Sequence, residues 1–217
     1  MTRSATSAHP KESWPRHFGS SCRRAGSVVL ATALASVFLL GLGSTPARAE
    51  SIVGSIPVGA YPVDVAINPA GTYAYVTNDN SGTVSVINLS TNAVTATITG
   101  ITHAHAIAIN PAGTRAYVTQ ENAHAVSVIN LSSNTVVASI DTADTAYGIV
   151  LNPAGTEAYV SVGGNPGSVK VINIVSDINT ITSSITVGLN PYSIALNAAG
   201  TRAYVTNTGS LSNSVSV

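Results

Sequence analysis

Apolar and polar residues alternate in short runs along most of this chain, and beyond residue 50 no stretch repeats with the period of a helix. The first unit shows the arrangement. Residues 61–68 are rich in Val, Ile and Ala and end in Asn68-Pro69-Ala70-Gly71. Residues 73–78 then alternate Tyr and Thr with Ala and Val; 83–89 follow after a polar loop, and 94–99 after Ser90-Thr91-Asn92. This pattern predicts four strands joined by hairpins in meander order. Pro69 presets φ for a type I turn, and Gly71 stands where a bulged hairpin needs a left-handed residue. Apolar residues on both faces, as in Val84-Ser85-Val86-Ile87, suit a sheet sandwiched between other sheets.

The unit recurs. Asn68-Pro69-Ala70-Gly71-Thr72-Tyr73-Ala74-Tyr75-Val76 has near-copies beginning at Asn110, Asn152 and Asn197. In the last copy Ala198 replaces the proline while Gly200 persists, as expected if proline assists the turn and glycine is required by it. A repeat of roughly 40 residues made of short β-type runs is the signature of propeller blades. Each unit is a small sheet that cannot cover its own faces and must stack on its neighbours. The predicted fold is therefore all-β: a β-propeller of four-stranded antiparallel blades, about four in number. They fall at about 60–100, 102–142, 144–188 and 189–217. Residues 51–59 align with 180–188, so they are expected to supply the fourth strand of the last blade.

Tyr75-Val76-Thr77-Asn78 returns as Tyr117-Val118-Thr119-Gln120, Tyr159-Val160-Ser161 and Tyr204-Val205-Thr206-Asn207. Together with Val84-Ser85-Val86-Ile87-Asn88 and Gly59-Ala60-Tyr61-Pro62, this resembles the YVTN family of β-propeller repeats over essentially all of 51–217. The resemblance implies an exported or cell-surface propeller, commonly of seven blades. Its relatives include surface-layer proteins and lactonase-like, haem d1-like and amine-dehydrogenase-like propellers. Two architectures stay open, a closed four-blade ring and part of a seven-blade one. A closed ring of four is physically allowed. The stop at Val217, where the counterpart strand continues through Ile87-Asn88-Leu89, favours the partial ring. An open arc would leave pairing edges exposed and invite self-association.

Residues 1–49 read as a secretory signal rather than as part of the fold. A basic leader ends in Arg23-Arg24, an apolar run spans 28–42, and Ala47-Arg48-Ala49 offers a cleavage site. The run is shorter than a bilayer span, so no stable membrane span is expected after processing. The twin arginine suits the Tat route, Gly26 and Ser27 suit Sec, and both stay open. Cys22 precedes the apolar run and is not placed for lipidation. The expected location is secreted, periplasmic or cell surface.

Removing the leader changes the balance of the chain. Its zero formal charge resolves into a basic leader and a domain whose cations are Arg115, Lys170 and Arg202 against eight acids. Such a domain lacks the basic surface that nucleic-acid binding requires. The only Cys, Trp and Met and both Phe leave with the leader, while all eight Tyr remain. No disulfide, thiolate metal site or cysteine nucleophile is then available.

Comparing the repeats locates the candidate chemistry. The Asn-Pro-Ala-Gly turns are nearly constant, whereas 79–82, 121–124, 163–167 and 208–213 differ, as binding loops of repeat proteins do. The starts of the inner strands open onto the same rim. The candidate ligand-binding residues are Tyr61, Asp64, Asp79, His103, His105, Glu121, Tyr147, Asn190 and Tyr192. His103 and His105 stand two apart on a predicted strand, and with His124 they form a candidate zinc site. Asp79, Asn80, Glu121 and Asn122 offer oxygen ligands for calcium. Both metals compete with the plainer reading of polar residues lining a wet channel, and no cofactor is predicted. Neither a nucleophile elbow nor a phosphate-cradling motif occurs, Gly163-Gly164 having no helix behind it. The resulting reading is an exported propeller serving as a binding or surface scaffold for a protein or small-molecule ligand, without turnover. The alternative is a metal-assisted lactonase-like or dehydrogenase-related enzyme.

Overall fold

The computed structural model describes residues 54–210 and 212–217, so the leader and residues 51–53 lie outside it. Asparagine builds the repeated turn. Asn68 Oδ1 accepts the backbone N–H groups of Thr72 and Tyr73 at 2.9 and 3.0 Å, while Gly71, at φ +67°, donates its N–H to the Asn68 carbonyl. Asn110, Asn152 and Asn197 repeat this arrangement.

These turns separate strands of five to seven residues, the last strand being shorter. The first sheet contains β1 (Pro62–Ile67), β2 (Tyr73–Asn78), β3 (Thr83–Asn88) and β4 (Ala93–Ile98). The second contains β5 (Ala104–Ile109), β6 (Arg115–Gln120), β7 (Ala125–Asn130) and β8 (Thr135–Asp141). The third contains β9 (Ala146–Leu151), β10 (Glu157–Val162), β11 (Ser168–Asn173) and β12 (Thr180–Thr186). The fourth contains β13 (Pro191–Leu196), β14 (Ala203–Asn207) and β15 (Ser214–Ser216). Each is an antiparallel meander, the topology of a propeller blade.

The core lies between blades, not within them. Tyr75, Val84, Val86 and Ile98 of the first blade meet Ala104, Ile107, Val118 and Ile129 of the second. Tyr117, Val126, Val128 and Ile140 meet Ile149, Val160, Val162 and Ile172 of the third in the same way. A smaller cluster, Val169 with Ile194 and Val205, joins the third blade to the fourth. Inner strands therefore pack in succession, β1 on β5, β5 on β9 and β9 on β13. The rim turns interlock as well: a Cβ on Gly155 would lie 2.8 Å from Pro111 Cδ of the preceding blade.

The expected closure by 51–59 is not formed among the described residues. Residues 54–59 carry no strand, and the fourth sheet has three strands among the described residues. The described part of the segment ends at Gly59, where a Cβ would fall within 2.8 Å of the Asn78 side chain, as one on Gly188 would against Asn207. The sheets form an open arc, and the closed four-blade ring is set aside.

Candidate functional site

Each inner strand bulges near its start, where register shifts occur between Pro62 and Asp64, Ala104 and Ile107, and Pro191 and Ile194; the shift in the third blade is between Val160 and Val162. A hydroxyl replaces the missing ladder partner. Thr77, Thr119, Ser161 and Thr206 accept the N–H groups of Asp64, Ala106, Gly148 and Ser193 at 2.8–3.0 Å. The first three hydroxyls also donate across to the next blade. They reach the carbonyls of His105, Tyr147 and Tyr192 at 2.6, 2.7 and 2.6 Å. A bulge re-aims the side chain it carries, and Val63, His105, Tyr147 and Tyr192 stand at the equivalent position in the four bulges.

Three of these four converge. The ring centroids of His105 and Tyr147 are 6.1 Å apart, those of His105 and Tyr192 5.5 Å, both edge-on, and those of Tyr147 and Tyr192 5.2 Å. His105 Nδ1 lies 3.2 Å from the Tyr147 carbonyl, which can only accept, so Nδ1 carries a proton. In the neutral ring Nε2 is then the acceptor, and the Tyr192 hydroxyl at 3.1 Å donates to it. Burial raises the Tyr147 pKa above its ordinary value, and the nearby carboxylates of Glu121 and Asp144 and the Tyr192 phenol add to the effect. The cluster thus presents aromatic edges with oriented hydrogen-bonding tips, drawn from three blades.

The other candidates are distributed around the rim. Tyr61, His103 and Asn190 occupy the position before each strand and take positive φ, 59°, 49° and 46°. Their carbonyls accept the N–H groups of Asp79, Glu121 and Thr208, which anchors the variable loops. His103 is not on the strand, so the alternation that would align it with His105 does not apply. It turns outward, with Nδ1 2.8 Å from Asp79 Oδ1. A recess of about 260 Å³ beside this pair is lined by Asn80, Ser81 and Thr102. His124 faces the third blade instead, 3.5 Å from Thr145 Oγ1 and 4.0 Å from Asp144. The zinc triad is therefore not assembled. Among the described residues no three His, Asp or Glu groups converge on one point. Asp64 is a brace: its two carboxylate oxygens accept the N–H groups of Val65 and, across the blade boundary, Ile107. Sequence reasoning missed the bridging hydroxyls, although their signal was the third residue of the repeated Tyr-Val-Thr.

No family model matches the chain, and no curated protein matches it. Solved structures do. The chain is similar to hydrazine synthase of Kuenenia stuttgartiensis, at 23% identity and a TM-score of 0.67 over 76% of this chain and 48% of that one. A 6-phosphogluconolactonase candidate from Bacteroides uniformis is similar at 14% identity and a TM-score of 0.60, over 67% and 47% of the two chains. The β-propeller domain of Cps50 (Swd1) from Myceliophteria thermophila follows at 12% and 0.57, over 69% and 51%. The chain spans about half the length of each. At these identities the likeness shows the β-propeller fold.

Proposed function

We propose that this chain is an exported β-propeller scaffold that binds its ligand at the axial rim, where the inner aromatic cluster and the unequal loops open together. One observation carries the reading. At one register position of the inner strands the repeats carry Val63, His105, Tyr147 and Tyr192, and the last three meet there. Aromatic rings with polar tips gathered from three blades, in a repeat whose loops also differ from blade to blade, suit recognition. Aromatic edges with polar tips favour a ligand with both an apolar face and hydrogen-bonding groups, such as a sugar ring or an aromatic peptide side chain. The basic leader with its apolar run supports export. The separation of His103, His105 and His124 favours the scaffold over a metal-assisted enzyme.

Glycan and peptide arrays probed with the purified protein test this, with each hit titrated through tyrosine emission. His105→Ala and Tyr192→Ala are expected to weaken binding by about tenfold or more, as loss of a central contact does. Val137→Ala, on the exposed part of the outer strand β8, leaves it unchanged. Undiminished binding in both cluster variants, or lactone turnover abolished at His103, His105 or Glu121, contradicts the scaffold.

A further inference from the structure

On the rim of the Asn-Pro-Ala-Gly turns, a groove runs along each of the first two blade boundaries, and the two are finished differently. The groove between the first and second blades encloses about 620 Å³, with Tyr73, Tyr75 and Thr95 on one side and Arg115, Asn130 and Asn134 on the other. The groove between the second and third blades, about 480 Å³, repeats it with Arg115 in the place of Tyr73 and Tyr117 in the place of Tyr75. There the chain supplies its own filling. The link between β11 and β12 is two residues longer than that between β7 and β8, and its short 3-10 turn, Val175–Asp177, brings Asp177 onto Arg115. The Asp177 carboxylate accepts two guanidinium N–H groups, at 2.9 and 2.6 Å.

The first groove has no such filling among the described residues. The shorter β7–β8 link carries Ser132 and Ser133 and ends in Asn134. Asn134 takes φ 53°, which asparagine tolerates, so the turn accounts for the residue type. It does not account for the side-chain oxygen, which is buried at the groove and accepts no hydrogen bond among the described residues. A buried polar atom without a partner is rare enough to need a reason. Its counterpart Asn179 has an orphan oxygen too, but there Nδ2 donates to the Asp177 carbonyl, and Asn179 stands outside the second groove. Burial, aided by the neighbouring Tyr73 phenol, raises the Tyr75 pKa, so its hydroxyl remains a donor at neutral pH.

We infer that the groove between the first and second blades binds a neutral sugar, with the Tyr73 and Tyr75 hydroxyls as donors and the Asn134 amide oxygen as acceptor. Its one charged wall residue, Arg115, is already paired with Asp177, which leaves no free charge for an anion, and no carboxylate lines it to hold a cation. Groups that must both give and receive hydrogen bonds match hydroxyls, which do both at one atom. Phenol rings add apolar bodies beside those polar tips, as a ring with C–H faces and a hydroxyl border requires. The volume lies within the range of about 300–1,000 Å³ usual for small-molecule sites. A rotation about χ2, a soft torsion in asparagine, brings the Asn134 oxygen to the ligand. The groove lies on the rim opposite the variable loops and does not depend on what the aromatic cluster binds.

Saturation-transfer NMR of the purified protein with maltose, cellobiose and lactose at millimolar concentration tests the assignment. At least one of the three is expected to receive saturation. For that sugar, Tyr73→Phe, which removes only a hydroxyl, and Asn134→Gly, which keeps the left-handed backbone, each raise Kd about fivefold, as loss of one hydrogen bond does. Circular dichroism of both variants is expected to match the unmutated protein, which separates loss of the site from loss of the fold. No transfer to any of the three sugars overturns the inference, since the groove then holds water alone. An unchanged Kd in both variants overturns it as well. A Kd that rises in His105→Ala and not in Tyr73→Phe places the sugar at the axial rim and equally contradicts the groove.

Discussion

At the scale of single residues, the bridging hydroxyl does most to couple fold and site. Thr119 is fully buried; its oxygen accepts the Ala106 N–H and donates to the Tyr147 carbonyl, the same carbonyl that receives the His105 proton. Thr119→Val keeps shape but leaves that N–H without its partner. A buried group so orphaned costs about 1–3 kcal/mol. Thr119→Ser restores the hydroxyl and is expected to recover most of the loss, read as the midpoint of denaturant unfolding. Equal losses in the two variants show that the methyl matters and the bridge does not. The Thr of Tyr-Val-Thr was legible as a repeated residue, yet its task was not, because its partner lies on another blade some thirty positions away. The pairing of His103 with His105 failed for a local reason. A left-handed residue before the strand breaks the two-residue alternation that sequence reading assumes. Aligning Pro62 with Pro191 shows that Tyr61 corresponds to His103 and Asn190, while Val63 corresponds to Tyr192.

At the scale of elements, strands and turns were readable because their signals are short-range: alternation over six residues, and Asn-Pro-Ala-Gly between hairpin arms. What the turn sequence does not reveal is that it also packs between blades. Gly71 and Gly155 have nearly the same φ, +67° and +66°. A Cβ on Gly71 meets open space, whereas one on Gly155 lies 2.8 Å from Pro111 Cδ. Gly71→Ala is therefore expected to cost only the left-handed strain, about 1–2 kcal/mol. Gly155→Ala adds the clash and should cost more, and Pro111→Ala in the same chain should return much of the difference. Thermal unfolding of the three variants checks this. Equal melting temperatures for the two glycine variants would show that the rim turns do not interlock. The same limit hid the role of 51–59: the alignment with 180–188 is plain in sequence, but pairing depends on whether β1 and β13 are brought together, and in this arc they are not.

At the scale of the whole molecule, stability rests on faces between blades, and two tyrosines at those faces make it sensitive to alkali. Burial, with help from the Asp177 carboxylate and some opposition from Arg115, pushes Tyr117 up to about 12. Tyr159 also reaches about 12, chiefly because its hydroxyl donates to Glu157 Oε2 at 2.7 Å, with burial adding to the effect. Both phenols hold their protons more tightly folded than unfolded, where tyrosine titrates near 10. Above that pH the unfolded chain binds fewer protons, so stability falls as pH rises. The contribution is intact below pH 10 and is lost between there and about 12. Tyr117 sits in the cluster joining the second and third blades, and Tyr159 packs against the contact between the third and fourth. Their ionisation should therefore separate blades rather than loosen one strand. Tyrosinate absorbance followed against far-ultraviolet circular dichroism is expected to show Tyr117 and Tyr159 ionising last among the eight tyrosines, as the sheet signal collapses. Tyr159→Phe removes one of these two late protons and makes the fall in stability above pH 10 less steep. All eight ionising together near pH 10, with the sheet signal intact, would mean that these faces do not exclude water.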